Sequence, residues 1–169
     1  MCGIIGIVGR SEAPDRLMDG LRRLEYRGYD SAGLCTIVDG RLERRRAEGK
    51  LDNLQRELES SPLTGRVGIA HTRWATHGAP TVGNAHPHVV DGVAVVHNGI
   101  IENHLALRRR LEERGEKILS DTDTEIVAHL VEREMKVDGL ENAVRRSLLY
   151  MRGLFALVLI SADDPDKIV

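Results

Sequence analysis

Cysteine is nearly missing from this chain. Only Cys2 and Cys35 occur in its 169 residues, so a disulfide framework is excluded by count, and two unpaired thiols point to a reducing, cytoplasmic compartment. An excess of either charge is missing as well. With 24 basic and 26 acidic residues the formal net charge is -2, which leaves no electrostatic case for nucleic acid, an anionic membrane or a polyanionic substrate. Long apolar runs are also lacking. The first, starting at Cys2, is broken by glycines and ends at Arg10, unlike a signal peptide, and Leu154 to Ile160 is too short to cross a bilayer. Internal repeats and low-complexity segments are absent too. The expectation is a soluble protein whose partners are small molecules or other proteins.

What is present suffices for one domain with a true core: 41% of residues are hydrophobic and 30% charged. Cys2 to Val8 reads as a buried strand at the very start. Its glycines, Gly3, Gly6 and Gly9, do not have dinucleotide-loop spacing and lie within the strand. Leu17, Met18, Leu21 and Leu24 follow Pro14 at helical spacing and predict a helix ending near Tyr26. Ala32 to Val38 and Arg41 to Ala47 read as strands joined by a tight turn at Asp39-Gly40, with Arg44, Arg45 and Arg46 on a solvated edge. Lys50 to Ser60 is a short helix. Strands are expected at Arg66 to His71, Val93 to His97 and Leu154 to Ser161, and helices at Asn103 to Arg114, Thr122 to Met135 and Leu140 to Leu149. Strands and helices are segregated rather than strictly alternating, which predicts a layered α+β domain. Thr72 to Asp91, rich in Gly, Pro, Asn and His, is too long and polar for an idle connection.

Cys2 is the first candidate for chemistry. Removal of Met1 leaves its thiol, with an ordinary pKa of about 8.5, beside its own α-amine, of about 8, so one residue supplies nucleophile and base. A small buried hydrophobe in second place is the bland alternative, and Cys35, inside an apolar strand, fits that description better. His71, His77, His86, His88 and His97 crowd one interval, yet their spacing gives no paired-cysteine or HExxH zinc pattern. Asn98-Gly99, placed where the chain leaves a strand, offers an amide and a backbone N–H, the donors an oxyanion needs, although Asn-Gly alone is also a common turn. Arg73 can grip a carboxylate through two hydrogen bonds. Trp74, the single tryptophan, reads equally as core or as a lid over a ligand. Asp121, Asp123 and Glu125 place three carboxylates at a helix start, more than capping requires. One of them can meet an ammonium group, and a guanidinium with a carboxylate would together recognise a free α-amino acid.

Six blocks in order carry a resemblance: Cys2-Gly3-Ile4, LEYRGYDSAG from Leu24, HTRWATHG from His71, NAHPH from Asn84, HNGIIEN from His97 and DTDTE from Asp121. The chain resembles the glutaminase domain of class II, N-terminal nucleophile, glutamine amidotransferases. The wording YRGYDS and RWATHG favours the branch that aminates fructose 6-phosphate to glucosamine 6-phosphate over the purine-pathway, asparagine and glutamate synthase branches. The resemblance implies a four-layer αββα sandwich and hydrolysis of glutamine through a Cys2 thioester, with no metal or organic cofactor. It implies Asn98 and Gly99 as the oxyanion hole and Arg27 and Gly28 as supports of the nucleophile. Arg73, Thr76 and His77 would hold the α-carboxylate, Asp123 and the Gly99 carbonyl the α-amino group, and Trp74 would cover the glutamine. It further implies that residues 1–169 are a glutaminase domain incomplete at its C-terminal end. Sugar isomerase domains would follow it in a homo-oligomeric parent protein. An inactive or regulatory glutamine-binding fragment, and an amidotransferase with a different acceptor, stay open as alternatives.

Overall fold

The structure, a computed structural model, describes residues 2–75 and 78–169, and only the backbone of Arg27. Strand β1 (Gly3–Val8) leads into helix α1 (Pro14–Arg23), where Pro14 opens the first turn and Leu17, Met18 and Leu21 form the buried stripe. A single turn of 3-10 helix, Glu25–Arg27, follows. Strands β2 (Ser31–Val38) and β3 (Arg41–Glu48) form a hairpin, with Asp39 and Gly40 both at positive φ as its two-residue turn demands. After α2 (Leu51–Ser60), strand β4 (Val67–Arg73) inserts between β1 and β2, so this sheet has the order β1-β4-β2-β3, all antiparallel.

The second sheet has the order β5-β6-β7, from β5 (His88–Val90), β6 (Val93–Ile101) and β7 (Gly153–Ser161). Between β6 and β7 run α3 (His104–Glu112), α4 (Thr124–Met135) and α5 (Leu140–Leu148). Along β2, Ala32 and Leu34 pack toward α1 and α2, while Cys35 and Ile37 face the other sheet. Along β6, Ala94 and Val96 meet them, while Val93 and Val95 turn toward α4 and α5. Period-two alternation on two facing sheets therefore divides the apolar side chains into three cores, and the layers run helix, sheet, sheet, helix. Each fully buried Leu or Ile in them, such as Leu34 or Ile160, contributes about 1.5–3 kcal/mol relative to an exposed one. At the chain's end Val169 exchanges two backbone hydrogen bonds with Leu159, on the edge of β7 away from β6.

Several sequence expectations need correcting. Strand β6 does not end at His97: it runs through Asn98 and Gly99 to Ile101, because β7 supplies partners along that whole length. Strand β4 runs to Arg73 rather than ending at His71, and the stretch after it, up to Asp91, contains a 3-10 turn, Val82–Asn84, and β5. Strand β3 is an edge strand as expected, but Arg44, Arg45 and Arg46 on it are half-buried rather than solvated. Their guanidinium groups donate to the carbonyls of Pro87, Ser61 and Ala85, at 3.0, 2.8 and 2.7 Å, and tie neighbouring loops to β3. Helix α1 stops at Arg23 rather than near Tyr26, where the tighter turn takes over.

Candidate functional site

Cys2 sits at the point where the two sheets meet. Gly3 is in register with Thr72, and its N–H donates to Thr72 Oγ1 at 3.0 Å, which sets the chain start beside the end of β4. A Cβ there would lie 2.7 Å from Leu24 Cδ1 and 2.8 Å from Thr72 Oγ1, so a larger residue requires those side chains to move. The Cys2 thiol, half-buried, accepts a hydrogen bond from Trp74 N–H at 3.2 Å. From the other sheet, Asn98 Nδ2 donates to the Cys2 carbonyl at 3.1 Å. Residues 96 positions apart thus share one hydrogen bond at the mouth of a 590 Å³ cavity.

Strand β6 lays Asn98 and Gly99 along that cavity. Glu102 N–H bonds to Arg152 in β7's approach, whereas Ile101 N–H turns the other way to Asp123 Oδ2, at 2.9 Å. By strand alternation Gly99 N–H points to the same side as that of Ile101, away from β7. Gly99 has φ of 121°, and a Cβ on it would come within 2.2 Å of the Leu154 carbonyl, so no larger residue fits the strand here. Ile100, Leu154 and Phe155 supply an apolar wall.

Opposite charges line the same cavity. Arg73, 3% exposed, donates to the carbonyls of Gly78 and Ala79 at 3.1 and 3.2 Å and lies 3.9 Å from Asp30. Asp30 in turn accepts from Ala75 N–H and Ser31 Oγ, so one carboxylate ties Arg73 and the segment after it to β2. Of the three acids of the DTDTE block only Asp123 faces the cavity. Glu125 accepts from Leu119 and Ser120 N–H; burial alone would raise its pKa, but those bonds and His129 hold it down at about 2. Asp121 is exposed and accepts from Asn84 Nδ2 at 3.3 Å.

The cavity floor is histidine, a feature that spacing alone did not assign. His86 Nε2 and His97 Nδ1 share the hydroxyl of Thr124 at 2.8 and 2.9 Å, and His71 stacks on His86 with ring centroids 4.2 Å apart. Burial pushes His71 down to about 4 and His88 to about 3, and lowers His86 well below the ordinary range, so these rings are neutral. The crowding of histidines on β4, β5 and β6 was the available signal; which ring meets which depends on sheet packing.

The structure brings Cys2, Arg73, Trp74, Asn98, Gly99 and Asp123 to one cavity. Gly28 lies behind it, at φ of 71°, where a Cβ would come within 2.6 Å of the Trp74 ring. Trp74 itself is 54% exposed at the cavity rim and is not a core residue. Thr76, His77 and Met1, and so the removal of that methionine, lie outside the described residues, as does the side chain of Arg27.

A glutamine amidotransferase domain family matches residues 71–169, more than half of the chain. The chain belongs to the glutamine amidotransferase domain family. It is 61% identical, over its whole length, to the glutamine–fructose-6-phosphate aminotransferase (isomerizing) of Zymomonas mobilis and 57% identical to that of Rhizobium leguminosarum, and spans 28% of the length of each. Among solved structures, an allosteric regulatory enzyme of purine biosynthesis superposes on 96% of the amidotransferase domain with a TM-score of 0.83 and 30% identity, the domain covering 36% of that chain. The glutamine phosphoribosylpyrophosphate amidotransferase of Bacillus subtilis follows at 0.79 and 27%, over 96% of this chain and 35% of its own. The fold is therefore the four-layer αββα sandwich of the N-terminal nucleophile type, as the resemblance implied. No helix among the described residues is long and apolar enough to cross a membrane.

Proposed function

We propose that this amidotransferase domain hydrolyses the side-chain amide of L-glutamine through a thioester on Cys2, releasing glutamate and ammonia. The observation that carries the reading is the convergence on one cavity of a thiol, a side-chain amide, a guanidinium and a carboxylate: Cys2, Asn98, Arg73 and Asp123. Arg73 and Asp123 match the two charges of a free α-amino acid, with Thr76 and His77 assisting Arg73 and the Gly99 carbonyl assisting Asp123. Trp74 covers the bound substrate, and Arg27 and Gly28 support the nucleophile from behind.

With Met1 removed, the α-amine of Cys2 takes the thiol proton and the thiolate attacks the amide carbon. Asn98 Nδ2 and Gly99 N–H donate to the oxyanion, each such donor contributing about 3 kcal/mol of transition-state stabilisation. The C–N bond then breaks, and the proton held by the amine leaves with ammonia. Water adds to the thioester with the same amine as base, and glutamate departs. Neither step needs an imidazole, in keeping with a histidine floor that burial keeps neutral.

The names of the relatives support fructose 6-phosphate as the acceptor of the ammonia, on sugar isomerase domains outside this sequence. A homo-oligomeric whole protein and a cytoplasmic location rest on the resemblance and on the two unpaired thiols. Ammonia release from glutamine by the purified protein and by Cys2→Ala is the test. The variant is expected to lose the activity by at least about a thousandfold, as removal of a covalent nucleophile does; a variant that still releases ammonia at the parent rate contradicts the proposal.

A further inference from the structure

His71 lies in β4, fully buried, and belongs to neither the nucleophile nor the charges proposed to hold substrate. It nevertheless reaches across the two sheets: its Nε2 is 3.0 Å from the His97 carbonyl and 2.9 Å from Asn98 Oδ1. A carbonyl oxygen only accepts, so Nε2 must carry the proton and donate. With that proton in place, the oxygen of the Asn98 amide faces His71 and its nitrogen faces the Cys2 carbonyl, 3.1 Å away. The reversed amide would set N–H against N–H at one end and oxygen against oxygen at the other. The other ring nitrogen, Nδ1, is buried without a hydrogen-bond partner among the described residues, and the ring is stacked on His86, so the tautomer has no competing use for its proton there.

We infer that His71 is a positioning residue for Asn98, fixing the amide with its nitrogen toward the nucleophile so that one N–H holds the Cys2 carbonyl and the second is left for the oxyanion. The inference rests on the proposed glutaminase reading for its catalytic consequence, but not for its structural one. Burial pushes the pKa of the ring down to about 4 against the bonds to Asn98 and the His97 carbonyl, and the nearby His97 and Arg73 further disfavour a second proton on it. The ring therefore donates as a neutral imidazole at working pH. Its contact with the thiol is indirect. It acts on the reaction by removing the freedom of Asn98 to turn its oxygen toward the developing negative charge, where it would repel rather than stabilise.

The test compares His71→Leu, which removes the donor, with His71→Gln, whose amide restores an N–H at similar reach, each alone and combined with Asn98→Ala. For His71→Leu the expected result is a fall in kcat of about a hundredfold, the scale of one lost oxyanion donor, with KM for glutamine within about threefold. Alkylation of Cys2 by iodoacetamide, which needs no oxyanion hole, should stay at the parent rate. His71→Gln should recover at least about a tenth of the parent kcat, and in the Asn98→Ala background neither change should alter kcat by more than about twofold. Equal activity of the Leu and Gln variants, or independent effects in the double variants, overturns the inference. A second readout does not depend on turnover or on the Leu variant folding. The Asn98 side-chain amide proton held by the Cys2 carbonyl, assigned by difference from Asn98→Ala, should be protected from exchange in the parent and in His71→Gln. It should lose protection in His71→Leu, or in His71→Asn, whose shorter reach also breaks the bond. Unchanged protection in the donor-deficient variants refutes the positioning role, whereas absent ammonia release with the protection pattern intact refutes only the glutaminase reading.

Discussion

Acid should unfold this domain earlier than its carboxylates alone would allow, because three buried histidines fold only in the neutral state. His71, His86 and His88 all have folded-state pKa values pushed below the ordinary value by burial, with His71 at about 4 and His88 at about 3. The unfolded chain binds their protons below about pH 6.5 and the native state does not, so stability is complete above that pH and falls as the pH drops. Each such group contributes about 1.4 kcal/mol per pH unit, so the three together give a slope of about 4 kcal/mol per unit between pH 6 and 4.5. Two other groups act outside this window. His129 is pushed down by burial but held up, on balance, by Glu125 and Glu116; its stabilisation is present in full below pH 6.5 and is lost as pH rises through the raised value. Glu125, depressed to about 2, loses its contribution only as pH falls below its ordinary value of 4.5. Across that window the three histidines remove about 6 kcal/mol, enough to consume the stability of a domain at the lower end of the usual range of about 5–15 kcal/mol. Urea titrations at pH 7.0, 6.0, 5.5 and 5.0, extrapolated to water, measure it directly, and His88→Gln should remove about a third of the slope. A stability independent of pH from 7 to 5, or a slope unchanged in that variant, refutes the reasoning.

Two substitutions probe the cavity further. Gly99→Ala must place a Cβ 2.2 Å from the Leu154 carbonyl at a φ that L side chains rarely adopt, so β6 and β7 are expected to part locally at a cost of about 3 kcal/mol or more, read as a lower urea midpoint. Asp123→Asn keeps an oxygen for the N–H of Ile101 but removes the charge proposed to meet the α-amino group, and should raise KM for glutamine about a hundredfold with the urea midpoint nearly unchanged; an unaltered KM contradicts that role.

Much of the architecture was legible because it is written locally. The short apolar runs of β2 and β4, the Asp39-Gly40 turn and the helical spacing of Leu17 to Leu21 each state their own conformation. The blocks around Cys2, Arg73, Asn98 and Asp123 could be picked out as chemistry for the same reason, and the structure brings those residues together. What could not be read depends on partners far along the chain. Asn98-Gly99 has the local wording of a turn, yet β7, more than fifty residues later, keeps it in a strand. Arg44, Arg45 and Arg46 look solvated until the loops at Ser61 and from Gly83 to Pro87 supply carbonyls. The neutral histidine floor, and the bond from His71 to Asn98, exist only once two sheets are stacked.

The central claim is that the thiol of Cys2, and no other group, attacks glutamine. Cys35, the second thiol, is fully buried between the sheets and pushed up to about 12 by that burial, so it is an internal control within the same molecule. The decisive measurement is peptide mapping by mass spectrometry after exposure to a glutamine analogue whose side-chain amide is replaced by an electrophilic ketone. A single adduct on Cys2, suppressed by excess glutamine, is the predicted result. Labelling of Cys35, or labelling of Cys2 that glutamine does not suppress, would contradict the account.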